Sequence, residues 1–165
     1  MKNIRVLVVG CGNMGASHAK AYQNLAGFEI CGLVSPGISK ETLNEALGGG
    51  QKLYSEYYTA LADSNPDAVC ISTYPDTHEA YSIAALEAGC HVFLEKPIAD
   101  SLAGAINVAN AVRKSGKKLV VGYILRHHPS WIKFIEIAKT MGKPLVMRMN
   151  LNQQSHGYMW DVHRN

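Results

Sequence analysis

The sequence predicts an α/β fold with a doubly wound parallel sheet, and three observations support this prediction. Short apolar, β-branched runs alternate with segments of helical periodicity from residue 3 to about residue 122. The run DAVCIST, at Asp67–Thr73, is almost continuously apolar, as is typical of parallel strands that are buried on both faces. Glycine follows several of the helical segments. This alternation places helices on both faces of one sheet, connected by right-handed crossovers.

The individual elements follow from the same patterns. Strands are predicted at Asn3–Val9, Phe28–Val34, Asp67–Thr73, Cys90–Leu94 and Lys118–Gly122. Helices are predicted at Asn13–Ala26, Ser39–Leu47, Glu56–Ala62 and Asp76–Gly89. Asp76 and Glu79 have the spacing of a capping box at the start of the fourth helix. Asp100 is predicted to cap a fifth helix, with Leu102, Ile106, Ala109 and Val112 on its apolar face.

The organisation changes after Gly122. A helix is predicted at Pro129–Met141 and a strand at Leu145–Leu151, followed by a polar and aromatic stretch without periodicity to Asn165. A single strand does not make an independent sheet. We therefore expect residues 1–122 to form a complete domain and residues 123–165 to begin an incomplete C-terminal α/β domain for substrate binding or oligomerisation.

Composition excludes several classes of protein. Of the 165 residues, 47% are hydrophobic and 18% are charged, which fits a globular core rather than a disordered chain. The net charge of +3, without Lys/Arg runs, does not indicate a nucleic-acid partner. No apolar run is long enough to span a membrane, and the N-terminus lacks the features of a signal peptide. We expect a cytoplasmic protein whose four scattered cysteines are reduced and structural rather than metal ligands.

The first predicted strand runs into a glycine-rich loop. Gly10, Gly12 and Gly15 have the spacing G-x-G-x-x-G between a strand and a helix. In this setting the glycines permit a tight turn, close approach of a pyrophosphate and close packing of helix on strand. The sequence therefore predicts a dinucleotide site of the Rossmann type, with Asn13 and Met14 in the loop that holds the cofactor. The alternative is a tight turn without a ligand.

The end of the second predicted strand bears on the choice of cofactor. Sites that prefer NAD place an acidic residue there, which binds the ribose 2′-hydroxyl. Here the position is Ser35, and no acid follows until Glu41. Ser35 can donate to a 2′-phosphate and Lys40 can supply the opposite charge, so NADP is favoured, with NAD as the second possibility. The alternative is an exposed turn with loose selectivity.

Several motifs together resemble the Gfo/Idh/MocA family of nicotinamide-dependent oxidoreductases. They are the glycine loop, Thr73-x-Pro75 followed by His78, the stretch ALEAGCHVFLEKP at residues 85–97, and Gly122-Tyr123 before Arg126. The resemblance implies an N-terminal Rossmann domain joined to a C-terminal α/β domain. It also implies a sugar, inositol or related polyol as the substrate, and a homo-oligomer for the full-length protein.

The most specific part of the resemblance is Glu95-Lys96-Pro97. It implies that Lys96 is the catalytic lysine, that Glu95 orients or neutralises it, and that the peptide before Pro97 is cis. The segment follows a predicted strand, at the edge of the sheet where ligands of open α/β folds bind. A lysine beside a nicotinamide can donate to the reacting oxygen. From the residues alone, a surface Glu–Lys pair at a strand end is an equally good interpretation.

By the same resemblance, Thr73 and Pro75 lie along the cofactor, and His78 and Arg126 lie close to it. A histidine at the start of a helix is often only a local hydrogen-bonding residue, and this alternative stays open for His78. The pair His127-His128 lacks the other ligands of a metal site, so no metal is expected.

Family members have an Asp-x-x-x-His motif for proton transfer, and by spacing from Lys96 this motif would follow Asn165. The chain is about half a typical member, so we expect a truncated chain that binds cofactor and turns over little. Two hypotheses remain: half of an oxidoreductase, or a stand-alone nucleotide-binding or redox-sensing module. A methyltransferase is a distant third, which Glu95-Lys96-Pro97 disfavours.

Overall fold

The computed structural model describes residues 2–143, 146–148 and 150 of the chain. The contacts between Cα atoms divide the chain into two compact units, Met1–Tyr123 and Ile124–Asn165. Each unit is described by itself below.

The first unit has one parallel sheet of six strands. The strands are β1 (Ile4–Val9), β2 (Phe28–Val34), β3 (Leu53–Tyr54), β4 (Ala68–Ile71), β5 (His91–Leu94) and β6 (Leu119–Val121). The helices are α1 (Asn13–Asn24), α2 (Ser39–Ala46), α3 (Tyr57–Ser64), α4 (Pro75–Glu87) and α5 (Leu102–Ser115). The strand order is β3-β2-β1-β4-β5-β6, and every neighbouring pair is parallel. The predicted fold class is confirmed.

The order of the strands reverses between β1 and β4, because the chain builds one half of the sheet outward from β1 and then returns to build the other half. Ligands of such sheets bind in the crevice at the carboxyl ends of the strands, at this reversal. The two-residue strand β3 was not predicted, since so short a strand has no periodicity to recognise.

The central strands are buried on both faces. Leu7 and Val9 of β1 belong to one apolar cluster, and Val6 and Val8 of the same strand belong to the other. Successive side chains of a strand point to opposite faces of the sheet. Each fully buried side chain of this size contributes about 1.5–3 kcal/mol to folding. This two-sided burial explains why the strands read as continuous apolar runs.

Helix α1 begins in close contact with the end of β1. Gly10 has a φ of +89°, a backbone conformation that side chains with a Cβ rarely adopt. A Cβ on Gly15, in the first turn of α1, would overlap the carbonyl oxygen of Gly10. At Gly12, by contrast, a Cβ would have no atom within 4 Å. Gly10 and Gly15 therefore serve the fold, and Gly12 leaves open space beside the loop.

Both predicted helix caps are wrong. Ser101, not Asp100, caps α5, because its Oγ accepts a hydrogen bond of 3.1 Å from the backbone N–H of Gly104. Helix α4 begins at Pro75, so Asp76 lies inside its first turn and no side chain caps it. Glu79 instead accepts a hydrogen bond of 2.8 Å from the amide of Asn107 in α5. Proline is favoured at the first helical position, so α4 begins at Pro75, one residue before the predicted start at Asp76.

The apolar face predicted for α5 is also wrong in part. The buried residues of α5 are Gly104 and Val108, whereas Leu102 and Ile106 are exposed. A Cβ on Gly104 would crowd the side chains of Glu79 and Ala99. The helix therefore packs against its neighbours through Gly104, its smallest residue. A prediction based only on the positions of large apolar residues chose the wrong face of α5.

The second unit contains a 3-10 helix at Ile124–His127 and helix α6 at Pro129–Thr140. The predicted helix Pro129–Met141 is therefore confirmed to within one residue. Of the predicted strand Leu145–Leu151, only residues 146–148 and 150 are described, and these are not in a strand. The stretch Asn152–Asn165 lies outside the described residues. Within the described chain, no helix combines the length and apolar character needed to cross a membrane.

The four cysteines are buried and free of disulfides. Cys11 lies within the glycine loop, and its Sγ lies 3.5 Å from the carbonyl oxygen of Val34, to which it donates. Burial raises the pKa of the Cys11 thiol to about 11. A cysteine in a ligand-binding loop is often open to alkylation, but Cys11 is buried in the apolar core and is therefore shielded.

Gly15→Ala should strongly destabilise the first unit, because the new Cβ overlaps the backbone of Gly10. We expect the free energy of unfolding to fall by about 3 kcal/mol, measured by urea denaturation followed by circular dichroism. Gly12→Ala is the matched control and should change this free energy by less than about 1 kcal/mol. Equal stability of the two variants would contradict the close packing of α1 on Gly10.

Cys11 should react slowly with iodoacetamide in the folded protein. At pH 8 about one thiol in a thousand is the reactive thiolate when the pKa is near 11. The labelling rate should therefore rise about tenfold per pH unit between pH 8 and pH 10. Mass spectrometry of peptides labelled in buffer and in urea provides the comparison. Labelling of Cys11 at the same rate in both solutions would show that the thiol is not protected.

Candidate functional site

The loops at the carboxyl ends of β1, β4 and β5 lie side by side, because backbone hydrogen bonds join the strands to their last residues. The N–H of Ser72 donates to Val9, over 2.7 Å, and the N–H of Glu95 donates to Ile71, over 2.9 Å. The glycine loop, the loop that begins at Ser72 and the segment that begins at Glu95 are therefore consecutive neighbours along one edge of the sheet. This is the edge at which the sequence predicts a site.

The glycine loop presents an open helix N-terminus. Gly12 is the N-cap of α1, with extended backbone and no capping side chain, and the first turn contains no acidic residue. The first backbone N–H groups of a helix have no partner within the helix and favour a phosphate. Asn13 and Met14 are exposed in this turn. Together with the open space beside Gly12, these features fit the pyrophosphate of a dinucleotide.

Glu95 is buried at the end of β5, at 6% exposure, and its carboxylate has two partners. Oε1 lies 2.8 Å from Nε2 of His18, on α1, and Oε2 accepts a hydrogen bond of 3.2 Å from the backbone N–H of Lys96. The ring of His18 packs against Phe93, with 4.7 Å between ring centroids. A Cβ at Gly122 would lie 3.2 Å from Glu95 Oε1, so glycine there leaves room for the carboxylate.

Lys96 is exposed at the same edge of the sheet. Glu95 was expected to orient or neutralise Lys96. Among the described residues its carboxylate does not pair with the ammonium but contacts His18 and the Lys96 backbone, so only the orienting role stays a prediction. Among the described residues, the Lys96 ammonium has no hydrogen-bond or ion-pair partner. The Lys96–Pro97 peptide is cis, as the resemblance implies. The ammonium is thus available to a ligand.

His78 joins the loops that follow β4 and β5. Its ring is fully buried, with Nδ1 at 2.6 Å from the carbonyl oxygen of Pro97 and Nε2 at 3.1 Å from that of Thr73. Thr73 also shares a hydrogen bond of 2.6 Å with Thr77, and Pro75 begins α4. Both ring nitrogens of His78 contact the protein itself. The geometry favours the alternative that His78 fixes the two loops.

The end of β2 holds the residues predicted to select the cofactor. Ser35 Oγ, directly after β2, lies 2.7 Å from Oγ of Ser39, the first residue of α2. Lys40 is 8% exposed, and its ammonium donates to the carbonyl of Gly37 over 2.9 Å. The same ammonium pairs with Glu41 Oε1 at 3.2 Å. The charge of Lys40 is therefore already partnered within the chain.

Arg126 lies in the second unit, within the 3-10 helix. Its contact with a cofactor stays a prediction, as do the individual contacts assigned to the other site residues.

Two residues near the site carry contacts that sequence reasoning missed. His18 fits the helical spacing of α1, so its spacing indicates only packing and not its hydrogen bond with Glu95. Glu41 was noted as the first acid after Ser35, but its pairing with the adjacent Lys40 was not foreseen. The adjacent opposite charges are the signal that could have indicated it.

Comparison with known proteins agrees with this geometry. The model of a family described as "Oxidoreductase family, NAD-binding Rossmann fold" matches residues 4–123. An inositol 2-dehydrogenase/D-chiro-inositol 3-dehydrogenase of Halalkalibacterium halodurans is 31% identical over 153 residues, which are 88% of this chain and 43% of that protein. The chain spans less than half the length of the curated relatives it matches.

Solved structures show the same fold. Myo-inositol 2-dehydrogenase from Lactobacillus plantarum superposes with a TM-score of 0.78 at 23% identity, over 84% of this chain and 42% of that one. GenD2 from gentamicin A biosynthesis, in complex with NAD, has a TM-score of 0.76 at 27% identity, over 84% and 39%. The family match covers most of the chain, including the glycine loop and Glu95-Lys96-Pro97. The chain belongs to the Gfo/Idh/MocA family of oxidoreductases, which have an NAD-binding Rossmann fold.

Proposed function

We propose that this chain is the cofactor-binding half of an oxidoreductase that transfers a hydride between a nicotinamide dinucleotide and a polyol such as inositol. The observation that carries the proposal is that Lys96 is exposed at the carboxyl ends of the strands, where the glycine loop also lies. The family match supports the dinucleotide. The names of the relatives, which are inositol dehydrogenases, support the polyol.

The residues at the sheet edge have distinct roles in this proposal. The N–H groups at the start of α1 bind the pyrophosphate, and the backbone at Thr73 and Pro75 lies along the cofactor. The nicotinamide supplies the hydride acceptor or donor when it is bound. Lys96 donates a hydrogen bond to the reacting oxygen of the substrate, and its positive charge stabilises negative charge that develops there.

Glu95 acts on Lys96 through the backbone in this proposal. Its carboxylate is held by His18 on one side and accepts from the Lys96 N–H on the other. The pair therefore fixes the backbone from which the Lys96 side chain extends. A precise placement of the reacting groups accounts for a large part of enzymatic rate enhancement. The Asp-x-x-x-His proton-transfer motif expected by resemblance has no match among these 165 residues.

The preference for NADP is also a proposal. The residue directly after β2 is not acidic: it is Ser35, whose hydroxyl group lies 2.7 Å from that of Ser39. A carboxylate there would bind the ribose 2′-hydroxyl and repel a 2′-phosphate. The positive charge of Lys40 is close to this pair in sequence and favours the phosphate. The full-length protein is proposed to form a homo-oligomer, with residues 123–165 as the start of its substrate domain.

The chain should bind NADPH more tightly than NADH, since Ser35 and Lys40 favour the 2′-phosphate. Fluorescence titration of the 165-residue protein with each cofactor measures the two dissociation constants. Gly12→Ala should weaken both at least about tenfold while leaving the unfolding midpoint unchanged, because its methyl group would take up part of the open space that the pyrophosphate is proposed to occupy. Tighter binding of NADH would reject the NADP preference, and binding of neither would reject the site.

Lys96→Met should abolish turnover in a protein that carries this chain together with a C-terminal substrate domain. We expect kcat for myo-inositol oxidation to fall at least about 100-fold, with unchanged NADPH binding, because the donor to the reacting oxygen is lost. Lys118→Met is the matched control, since Lys118 is exposed immediately before β6, at the opposite edge of the sheet. Retained turnover in Lys96→Met would exclude a catalytic role. Binding without turnover in the unaltered protein would favour the stand-alone module.

A further inference from the structure

We propose that the carboxylate of Glu41 occupies, on Lys40, the place of the cofactor's 2′-phosphate, so that NADP(H) displaces Glu41 on binding and NAD(H) does not. This inference rests on the proposed function, because it concerns the same cofactor site. It assigns to Glu41 a role in cofactor selectivity that opposes the role of Lys40.

The contacts of Lys40 carry the first step. Its ammonium is held by the carbonyl of Gly37, over 2.9 Å, and by Glu41 Oε1, over 3.2 Å. The lysine is 8% exposed, so its stem is packed and its charge stays where it is. An anion that binds this ammonium has to replace the anion already there. The carboxylate of Glu41 is the only acidic partner of Lys40 among the described residues.

The position of the pair is the second step. Lys40 and Glu41 lie in the first turn of α2, directly after the loop that leaves β2. The end of β2 adjoins the glycine loop, because the N–H of Gly10 donates to Val34 over 2.9 Å. The charges of both side chains act on the pKa of Cys11, inside that loop, in opposite directions. The pair is therefore within electrostatic reach of a cofactor in the loop.

The state of Glu41 is the third step. Its Oε2 is buried and has no hydrogen-bond partner among the described residues, although 45% of the side chain as a whole is exposed. A buried oxygen without a partner is costly, whereas the same carboxylate in water is fully solvated. Solvation of Oε2 therefore offsets part, but not all, of the ion-pair contact that Glu41 loses when it turns outward. This exchange lets a 2′-phosphate take over Lys40 and leaves no carboxylate beside it.

The exchange has a definite consequence for selectivity. NAD(H) has a 2′-hydroxyl and does not displace Glu41. The ion pair between Lys40 and Glu41 is then present before and after binding, so it contributes nothing to the binding free energy. With NADP(H), the gain from the phosphate on Lys40 is reduced by the loss of the Glu41 contact. Glu41 thus limits the preference for NADP that Ser35 and Lys40 create.

Glu41→Gln tests this directly, because it keeps the shape of the side chain and removes its charge. We expect the dissociation constant of NADPH to fall by about threefold to fivefold, the upper part of the range for a partly exposed charge pair, and that of NADH to change by less than about twofold. Fluorescence titration with NADPH and NADH gives both constants. Glu45→Gln is the matched control: it removes the same charge from an exposed position one turn later in α2 and should change neither constant.

A double variant separates local displacement from a general change in charge. In the background of Lys40→Met, which keeps an apolar stem, Glu41→Gln should no longer improve NADPH binding. The proposal is overturned if Glu41→Gln leaves the NADPH constant unchanged, if it shifts NADPH and NADH equally, or if its effect persists without Lys40. Binding of neither cofactor to the unaltered chain would overturn the proposed function as well. Circular dichroism of each variant establishes that it is folded.

Discussion

The close approach of α1 to the end of β1 is the constraint on which the rest of the site depends. Gly15 packs where a Cβ would overlap the carbonyl of Gly10, and Gly10 itself needs a left-handed backbone. This packing directs the open N-terminus of α1 toward the carboxyl edge of the sheet. It also sets the position of His18, one turn further along the helix. A single close contact therefore positions both the open helix N-terminus and a partner for Glu95.

The pair of His18 and Glu95 joins the two parts of the site. His18 belongs to the helix that follows the glycine loop, and Glu95 directly follows β5, which is two strands from β1 in the sheet order. Because Glu95 also accepts from the backbone of Lys96, a shift of α1 would be transmitted to the lysine. His78 makes a comparable link between the loops after β4 and β5. Hydrogen bonds of the His18 and His78 side chains, in addition to those between the strands, therefore fix the loops at this edge of the sheet.

The fold was predictable from sequence because strands that are buried on both faces appear as continuous apolar runs. Strand β2 was predicted to the residue, since its apolar run is bounded by a glycine and a turn. Ser101 and the buried face of α5 were not predictable, because capping and close helix packing depend on the geometry of neighbouring elements. The partner of Glu95 was not predictable for the same reason, whereas adjacent opposite charges indicate the partner of Lys40, which was overlooked. Glu95 pairs with a residue 77 positions away, and Lys40 pairs with its own neighbour.

Apart from Lys96, the titratable side chains discussed at this edge of the sheet already have a partner within the chain. Lys40 is paired with Glu41 and His18 with Glu95, so a ligand that uses either pair has to exchange partners. An exchange costs the old contact, and only the difference between the two contacts appears as affinity. The Lys96 ammonium has no such partner among the described residues, so a ligand that binds it displaces water and not a protein side chain. In the proposed function, cofactor selectivity therefore depends on the difference between two contacts of Lys40, whereas the role proposed for Lys96 needs no side-chain partner to be displaced.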